Sequence, residues 1–314
     1  MPDRSFCEFE NDEKLTCPIC GSQSKWPLQY NRALNIERVL SPQHPRDAYF
    51  WSLCRQCGNG YPSFMPDLNA LAELWESNRT ISEKDEAKEE EIWRYRREIS
   101  RRGAQRSFRL FMPLMGVKQG SFLDVGCGLG ETVMLFSEQG WDAYGIDADP
   151  NMLPIHQAIG IQSEIGQVES ITLDKKFDLI QIAHAVYFVS NVMTFIESLR
   201  SRLNDNGLLC IVLANFMSSD DNGLPGYAHS FFPTAGSMRY LLAVAGYEAI
   251  FCQKSSGSIF IAARPGRVAL PAVHPRVIRV GYQTKSLRYA IIGKPLTLLK
   301  TVAKDILRRL KLRQ

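Results

Sequence analysis

The stretch "FLDVGCGLGE", residues 122–131, decides the fold: an apolar run ends in Asp124 and is followed at once by Gly126, Gly128 and Gly130. The helix-forming "ETVMLFSEQG" of 131–140 comes next, so the segment reads as a strand, a bare turn and a helix N-terminus. Glycine removes the Cβ and lets the backbone lie against a ligand, while the helix start adds unpaired N–H groups and a positive dipole end. A G-x-G-x-x-G loop that cradles a pyrophosphate would need glycine at 131. That position is Glu131, whose carboxylate repels phosphate. The register is instead D-x-G-x-G-x-G, with Asp124 placed to accept from a ligand ammonium. The alternative for each glycine is an ordinary tight turn.

Outward from the loop, residues 111–265 alternate β-rich runs with helical stretches, the pattern of an α/β protein with a parallel sheet covered on both faces. The expected strands are "SFLDV" (121–125), "DAYGID" (142–147), "QSEI" (162–165), "FDLIQIA" (177–183) and "LLCIVLA" (208–214). A last pair, "YEAIFCQK" and "SIFIAARP", is separated only by "SSG", too short for a crossover helix, and predicts an antiparallel hairpin. Asp147 closes the second strand, where a carboxylate can take both hydroxyls of a ribose. Asp149, past the strand end, is the other candidate for that role and reads otherwise as a helix cap.

On the glycine loop, the strand-tip acid and the terminal hairpin, the chain resembles the class I S-adenosylmethionine-dependent methyltransferases over roughly residues 105–265. The resemblance implies a Rossmann-like seven-stranded sheet with S-adenosyl-L-methionine held by Asp124, Gly126, Cys127, Gly128, Gly130, Asp147 and Ala148. It also places Gln167 and Val168, in "IGQVES" (165–170), against the adenine. "FDLIQIAHAVYFV" looks like the fourth strand and its exit loop, which borders the methionine part and the acceptor. Many relatives carry an acidic residue and a histidine in that loop; here the pair is Tyr187 and Phe188.

Methyl transfer leaves an acceptor proton to be removed, and the candidate bases are His184, Tyr187 and His229. His184 also reads as a cofactor-lining or packing residue. His229, in "GYAHSFFPTAG", precedes a helix where relatives often have an acceptor-pocket histidine, and reads alternatively as structural. Tyr95, Arg96 and Arg97 read as a solvated face, or as a closure over the cofactor carboxylate.

Two further clusters, "CPIC" at 17–20 and "CRQC" at 54–57, occupy a segment rich in Pro, Gly and aromatics. A two-residue gap lets both thiolates meet one tetrahedral ion, so Cys17, Cys20, Cys54 and Cys57 predict a structural Zn2+ in a small zinc-ribbon-like module; redox use is the alternative. Cys7 reads as incidental, and Cys210 and Cys252 as core residues. This layout, including "AYFWSLC", resembles bacterial sugar methyltransferases with an N-terminal zinc module. That resemblance implies a sugar or glycan acceptor, in polysaccharide or deoxysugar biosynthesis. A natural-product methyltransferase and a non-catalytic scaffold that binds the cofactor are the other readings.

The whole divides into a zinc-binding module (1–66), a helical connector (67–110), the catalytic domain (111–265) and a basic tail (266–314). In the connector, "LNALAELWESNR" has helical spacing and Ser82 is placed to cap a second helix. Of the net charge of +4, residues 267–314 contribute +11, with twelve Lys or Arg against Asp305, so the preceding residues carry −7. An acidic body is no nucleic-acid groove. The tail "KPLTLLKTVAKDILRRLKLRQ" (294–314) puts apolar residues on one helical face and Lys and Arg opposite, either for peripheral contact with an anionic membrane or as a docked C-terminal helix. The acidic start lacks an apolar leader and no run approaches the ~18 apolar residues of a span, which predicts a cytoplasmic protein, peripheral at the inner membrane if the tail binds lipid.

Overall fold

The computed structural model describes residues 16–28, 51–62, 86–170, 173–218, 229–255, 257–288 and 291. The expected helix at 68–79, its neighbour's cap Ser82, Cys7 and the tail helix at 294–314 lie outside these residues. No helix among the described residues is long and apolar enough to cross a membrane.

Three short strands, β1 (Lys25–Leu28), β2 (Trp51–Cys54) and β3 (Gly60–Pro62), pair antiparallel in sequence order. A long helix, α1 (Glu86–Met115), follows. Then come β4 (Ser121–Val125), α2 (Glu131–Glu138), β5 (Asp142–Asp147), α3 (Met152–Ile159), β6 (Gln162–Ile165), β7 (Phe177–Ala183) and α4 (Val192–Ser198). The chain closes with β8 (Leu203–Ala214), α5 (Ala235–Val244), β9 (Tyr247–Ser255), β10 (Ser258–Pro265) and α6 (Pro275–Arg288).

Strands β4 to β10 form one seven-stranded sheet in the order β6-β5-β4-β7-β8-β10-β9. The pairs from β6 through β8 are parallel, and β10 runs antiparallel to both β8 and β9. The expected five parallel strands and terminal hairpin are all present. Period-two alternation divides the core: Leu123, Val125, Ile180, Ile182, Leu209 and Ile211 pack in one layer, and Phe122, Leu179, Leu208, Cys210 and Val212 in the other. In the second layer Phe136 of α2 stacks on Phe122 with centroids 3.7 Å apart and meets Trp141 edge-on.

Two departures have local causes. Strand β8 begins at Leu203 rather than 208, because "NDNG" is an excursion inside the strand: Asn206 is left-handed (φ 64) and the register with β7 shifts between Phe177 and Leu179. Helix α1 runs unbroken through the expected connector boundary at 110 and 111, since Ala104 and Phe111 are buried and Phe111 packs in the second core layer.

The cysteine-bearing module is stitched to the large sheet's domain. Gly60 and Phe232 exchange two backbone hydrogen bonds, Phe232 N–H to Gly60 at 2.6 Å and Gly60 N–H to Phe232 at 3.0 Å. Trp51, Leu53 and Leu28 pack with Phe216 and Phe232, and with Ile278 and Tyr282 of α6.

Candidate active site

The C-terminal ends of β4, β5 and β7 open into a cavity of about 490 Å³. Its wall holds Asp124, Gly126, Cys127 and Gly128 from β4 and the glycine loop, with Asp147 and Ala148 from β5. Gln167 and Val168 follow β6, and His184 follows β7, so these expected residues converge from distant sequence. Gly130 does not line the cavity. It is the N-cap of α2 at φ 77, and a Cβ there would meet Ile161 Cδ1 at 2.3 Å, so its role is to fit the loop against its neighbour.

The loop geometry explains its bareness. Gly126 (φ 77) turns the chain while its N–H and that of Cys127 both reach the Ile146 carbonyl, at 2.8 and 3.0 Å; a Cβ at 126 would lie 2.4 Å from Ala185 Cβ. At Gly128 (φ 53) a Cβ would meet nothing within 4 Å. The missing side chain there leaves space on the cavity side. The carboxylate of Asp147 accepts from the Gly128 N–H at 2.6 Å and from the Asp149 N–H at 3.0 Å. Asp149 in turn accepts from the Asn151 backbone, beside the start of α3.

Asp124 is 2% exposed and Gln181, its register partner on β7, is 1% exposed. Burial raises the Asp124 pKa to about 7, against hydrogen bonds from Thr132 and Gln181, with the Asp147 charge pushing the same way as burial. Asp124 Oδ1 and Gln181 Oε1 are both buried without a hydrogen-bond partner. Two unsatisfied acceptors each cost ~1–3 kcal/mol, so this floor calls for a ligand with donors, as an ammonium group has.

The three expected bases lie together but not equivalently. Only His184 lines the cavity; it has φ 57, a conformation costly for a non-glycine residue, held by its N–H on the Val212 carbonyl at 2.8 Å. Its Nδ1 lies 2.7 Å from the Tyr187 hydroxyl, and desolvation lowers its pKa, keeping the ring neutral. Tyr187 is buried behind the wall, and burial pushes its hydroxyl up, so it remains protonated. His229 lies tilted against the Tyr187 ring, centroids 4.3 Å apart, and desolvation lowers its pKa to about 3. Among the described residues Tyr187 and His229 do not line the cavity and stand behind His184.

Sequence reasoning missed several wall residues. Helix α1 lies across the cavity through Ser100, Gly103, Ala104 and Ser107. That i, i+3, i+4, i+7 row of small residues was visible in "SRRGAQRS" as a close-packing face. The helix is tied down where Arg97 Nε pairs with the buried Glu131 at 2.7 Å, while Arg101 approaches the same carboxylate at 3.9 Å. Arg97 thus serves Glu131 instead of a cofactor carboxylate. Tyr95 is exposed, and Arg96 lies over Trp93.

The four expected thiols also converge: the sulfurs of Cys17, Cys20, Cys54 and Cys57 lie within 4.8 Å of one another, with Cys17 and Cys57, and Cys20 and Cys54, at 3.5 Å. Each pair sits on a turn closed by a left-handed glycine, Gly21 N–H to Cys17 at 2.8 Å and Gly58 N–H to Cys54 at 3.2 Å. Four sulfurs around one tetrahedral ion at ~2.3 Å stand about 3.8 Å apart, so the set has the size of such a site.

Residues 92–250 match the family model described as a methyltransferase domain. No curated protein sequence matches the chain. Among solved structures, the glycopeptide N-methyltransferase MtfA is 14% identical over 52% of this chain and 90% of its own, with a TM-score of 0.43. The CcbJ methyltransferase from Streptomyces caelestis is 12% identical over 53% and 89%, TM-score 0.44. DhpI, in its SAH complex, is 19% identical over 54% and 95%, TM-score 0.41. With the matched span covering half of the chain and running from the helix over the cavity through the glycine loop into β9, the protein belongs to the methyltransferase-domain family and is an S-adenosylmethionine-dependent methyltransferase.

Proposed function

We propose that the protein transfers a methyl group from S-adenosyl-L-methionine to a hydroxyl or ring carbon of a sugar or glycan. The observation that carries this reading is the double hydrogen bond between Gly60 and Phe232. It sets the cysteine module against the segment that backs the His184 wall, which is the layout of sugar methyltransferases with such a module. Phe188 and Phe260 give the cavity apolar faces on which a sugar ring can lie. In this reading residues 1–66 are the module, 67–110 the connector, 111–265 the catalytic domain and 266–314 the tail. Structural Zn2+ on Cys17, Cys20, Cys54 and Cys57 would supply folding energy to the module.

Asp124 takes the ammonium, Gly128 lets the methionine end lie on bare backbone, Asp147 holds the ribose, and Gln167 and Val168 face the adenine. The leaving group of methyl transfer is neutral, so alignment supplies most of the rate. His184, neutral and on the wall, is the residue placed to receive or relay the acceptor proton.

Labelled methyl transfer into nucleotide sugars, lipid-linked glycans and fractionated cell extract, read by mass spectrometry, tests the proposal. Label in a carbohydrate product supports it. Label confined to other small molecules favours the natural-product reading, and cofactor uptake with no transfer favours a scaffold.

A pH prediction follows from Asp124. A folded pKa of about 7 against an ordinary 3.8 means the protonated acid favours the folded, ligand-free protein below about pH 4, and that contribution is lost as pH rises through 7. An ammonium ligand needs the carboxylate. Cofactor affinity is therefore expected to weaken by up to about tenfold per unit as pH falls below about 7, and Asp124→Asn to bind more weakly with a flat profile; calorimetry from pH 5.5 to 8.5 checks both.

The tail and α6 support contact with an anionic membrane: residues 267–314 carry +11, and Val277, Val280 and Leu287 of α6 are 69%, 61% and 62% exposed. Flotation with anionic liposomes is expected for the full chain and not for a chain ending at 266. Equal flotation of both would end this idea.

A further inference from the structure

We infer that His156 is a positioning residue for the cofactor: it fixes the glycine loop from behind. It lies on α3 and is 0% exposed, away from the cavity wall. Its Nε2 is 2.7 Å from the Gly128 carbonyl and its Nδ1 is 2.8 Å from Ser163 Oγ on β6. A carbonyl oxygen only accepts, so Nε2 carries the proton; in the neutral ring Nδ1 then accepts from the Ser163 hydroxyl. The tautomer is set by its two partners.

The bond falls on the one loop glycine whose Cβ position is open. Gly128 donates its N–H to Asp147 Oδ2 at 2.6 Å and its carbonyl is held by His156, so both peptide planes of the residue facing the cofactor are fixed. Asp147 and His156 approach from the end of β5 and from the helix after it. A backbone held on both sides pays no ordering cost when ligand arrives. Loss of the His156 bond leaves the loop free to turn its carbonyl toward the ligand.

This inference rests on reading the cavity as the S-adenosylmethionine site. The test is calorimetric titration of S-adenosylmethionine into full-length, metal-replete protein, with thermal unfolding measured alongside and 15N-histidine NMR on the wild type. His156→Leu is expected to weaken binding about tenfold, His156→Gln, which keeps an N–H near the Nε2 position, to recover most of it, and Ser163→Ala to weaken it about threefold. The unfolding midpoint of the ligand-free Ser163→Ala and His156→Gln variants should stay near that of the wild type, and the NMR spectrum should show the Nε2–H tautomer. Should His156→Leu fail to fold, Ser163→Ala and His156→Gln carry the comparison.

Affinity unchanged in Ser163→Ala and His156→Leu, or a lowered midpoint with intact affinity, overturns the inference and leaves the cofactor reading standing. No uptake by the wild type overturns the cofactor reading, and this inference with it.

Discussion

Gly126→Val is expected to lose measurable uptake of S-adenosylmethionine, a drop of more than a hundredfold, and to lower the unfolding midpoint. Two independent costs meet at this position. The left-handed backbone (φ 77) is disfavoured for any residue with a Cβ and most for a β-branched one. The Cβ would also lie 2.4 Å from Ala185 Cβ, on the loop leaving β7, so β4 and the His184 loop must part. Their separation carries Asp124 and His184 away from each other, and the cavity loses its floor and one wall together. Gly128→Ala is the matched control. It carries the same left-handed backbone cost of about 1–2 kcal/mol (φ 53), but its Cβ meets no protein atom within 4 Å, so its midpoint should fall much less than that of Gly126→Val while the methyl group, occupying ligand space, weakens cofactor binding. Equal behaviour of the two variants would sink this account.

Cys54→Ser, or exhaustive chelation, is expected to remove bound zinc and to unfold the N-terminal module, lowering the midpoint by on the order of 10 °C and abolishing methyl transfer. Among its described residues the module has three short strands, and the buried side chains Trp51, Leu53 and Tyr61 flank the turn at Cys54–Gly58. Cys54 N–H reaches the Asn59 carbonyl at 2.8 Å, and the next residue, Gly60, is bridged to Phe232. Two residues back, the Ser230 N–H and hydroxyl both hold the Tyr187 carbonyl, at 2.7 and 3.0 Å, and the Tyr187 hydroxyl meets His184. A failure at the cysteines therefore reaches the cavity wall through hydrogen bonds joined by short stretches of covalent chain. Elemental analysis of purified protein should find about one zinc per chain. A metal-free preparation that melts and turns over like the native one would refute the role given to these thiols.

Much of this was legible because it is local. The strand, bare turn and helix at 121–138 declare themselves by spacing, and β7 reads as a strand because "FDLIQIA" is apolar on both faces. The hairpin of β9 and β10 follows from a linker too short to cross over. What stayed hidden depends on partners far away in the chain. Arg97 reads as solvated until Glu131, 34 residues on, is seen buried beneath it. The sequence left His229 open between a base and a structural residue, and nothing local says that its ring will lie buried against Tyr187, where desolvation lowers its pKa. His156 carried no signal at all, since nothing in "NMLPIHQAIG" says that its ring will meet the Gly128 carbonyl.

The position of β10 between β8 and β9 has a practical meaning for anyone isolating the enzyme's minimal unit. The family match ends at residue 250, inside β9, before β10 has been made. A fragment trimmed to that span would expose the hydrogen-bonding rim of β8, a strand buried along Leu208–Leu213, as an open template for other copies. Such a fragment should precipitate, and the smallest soluble piece has to run at least through Pro265.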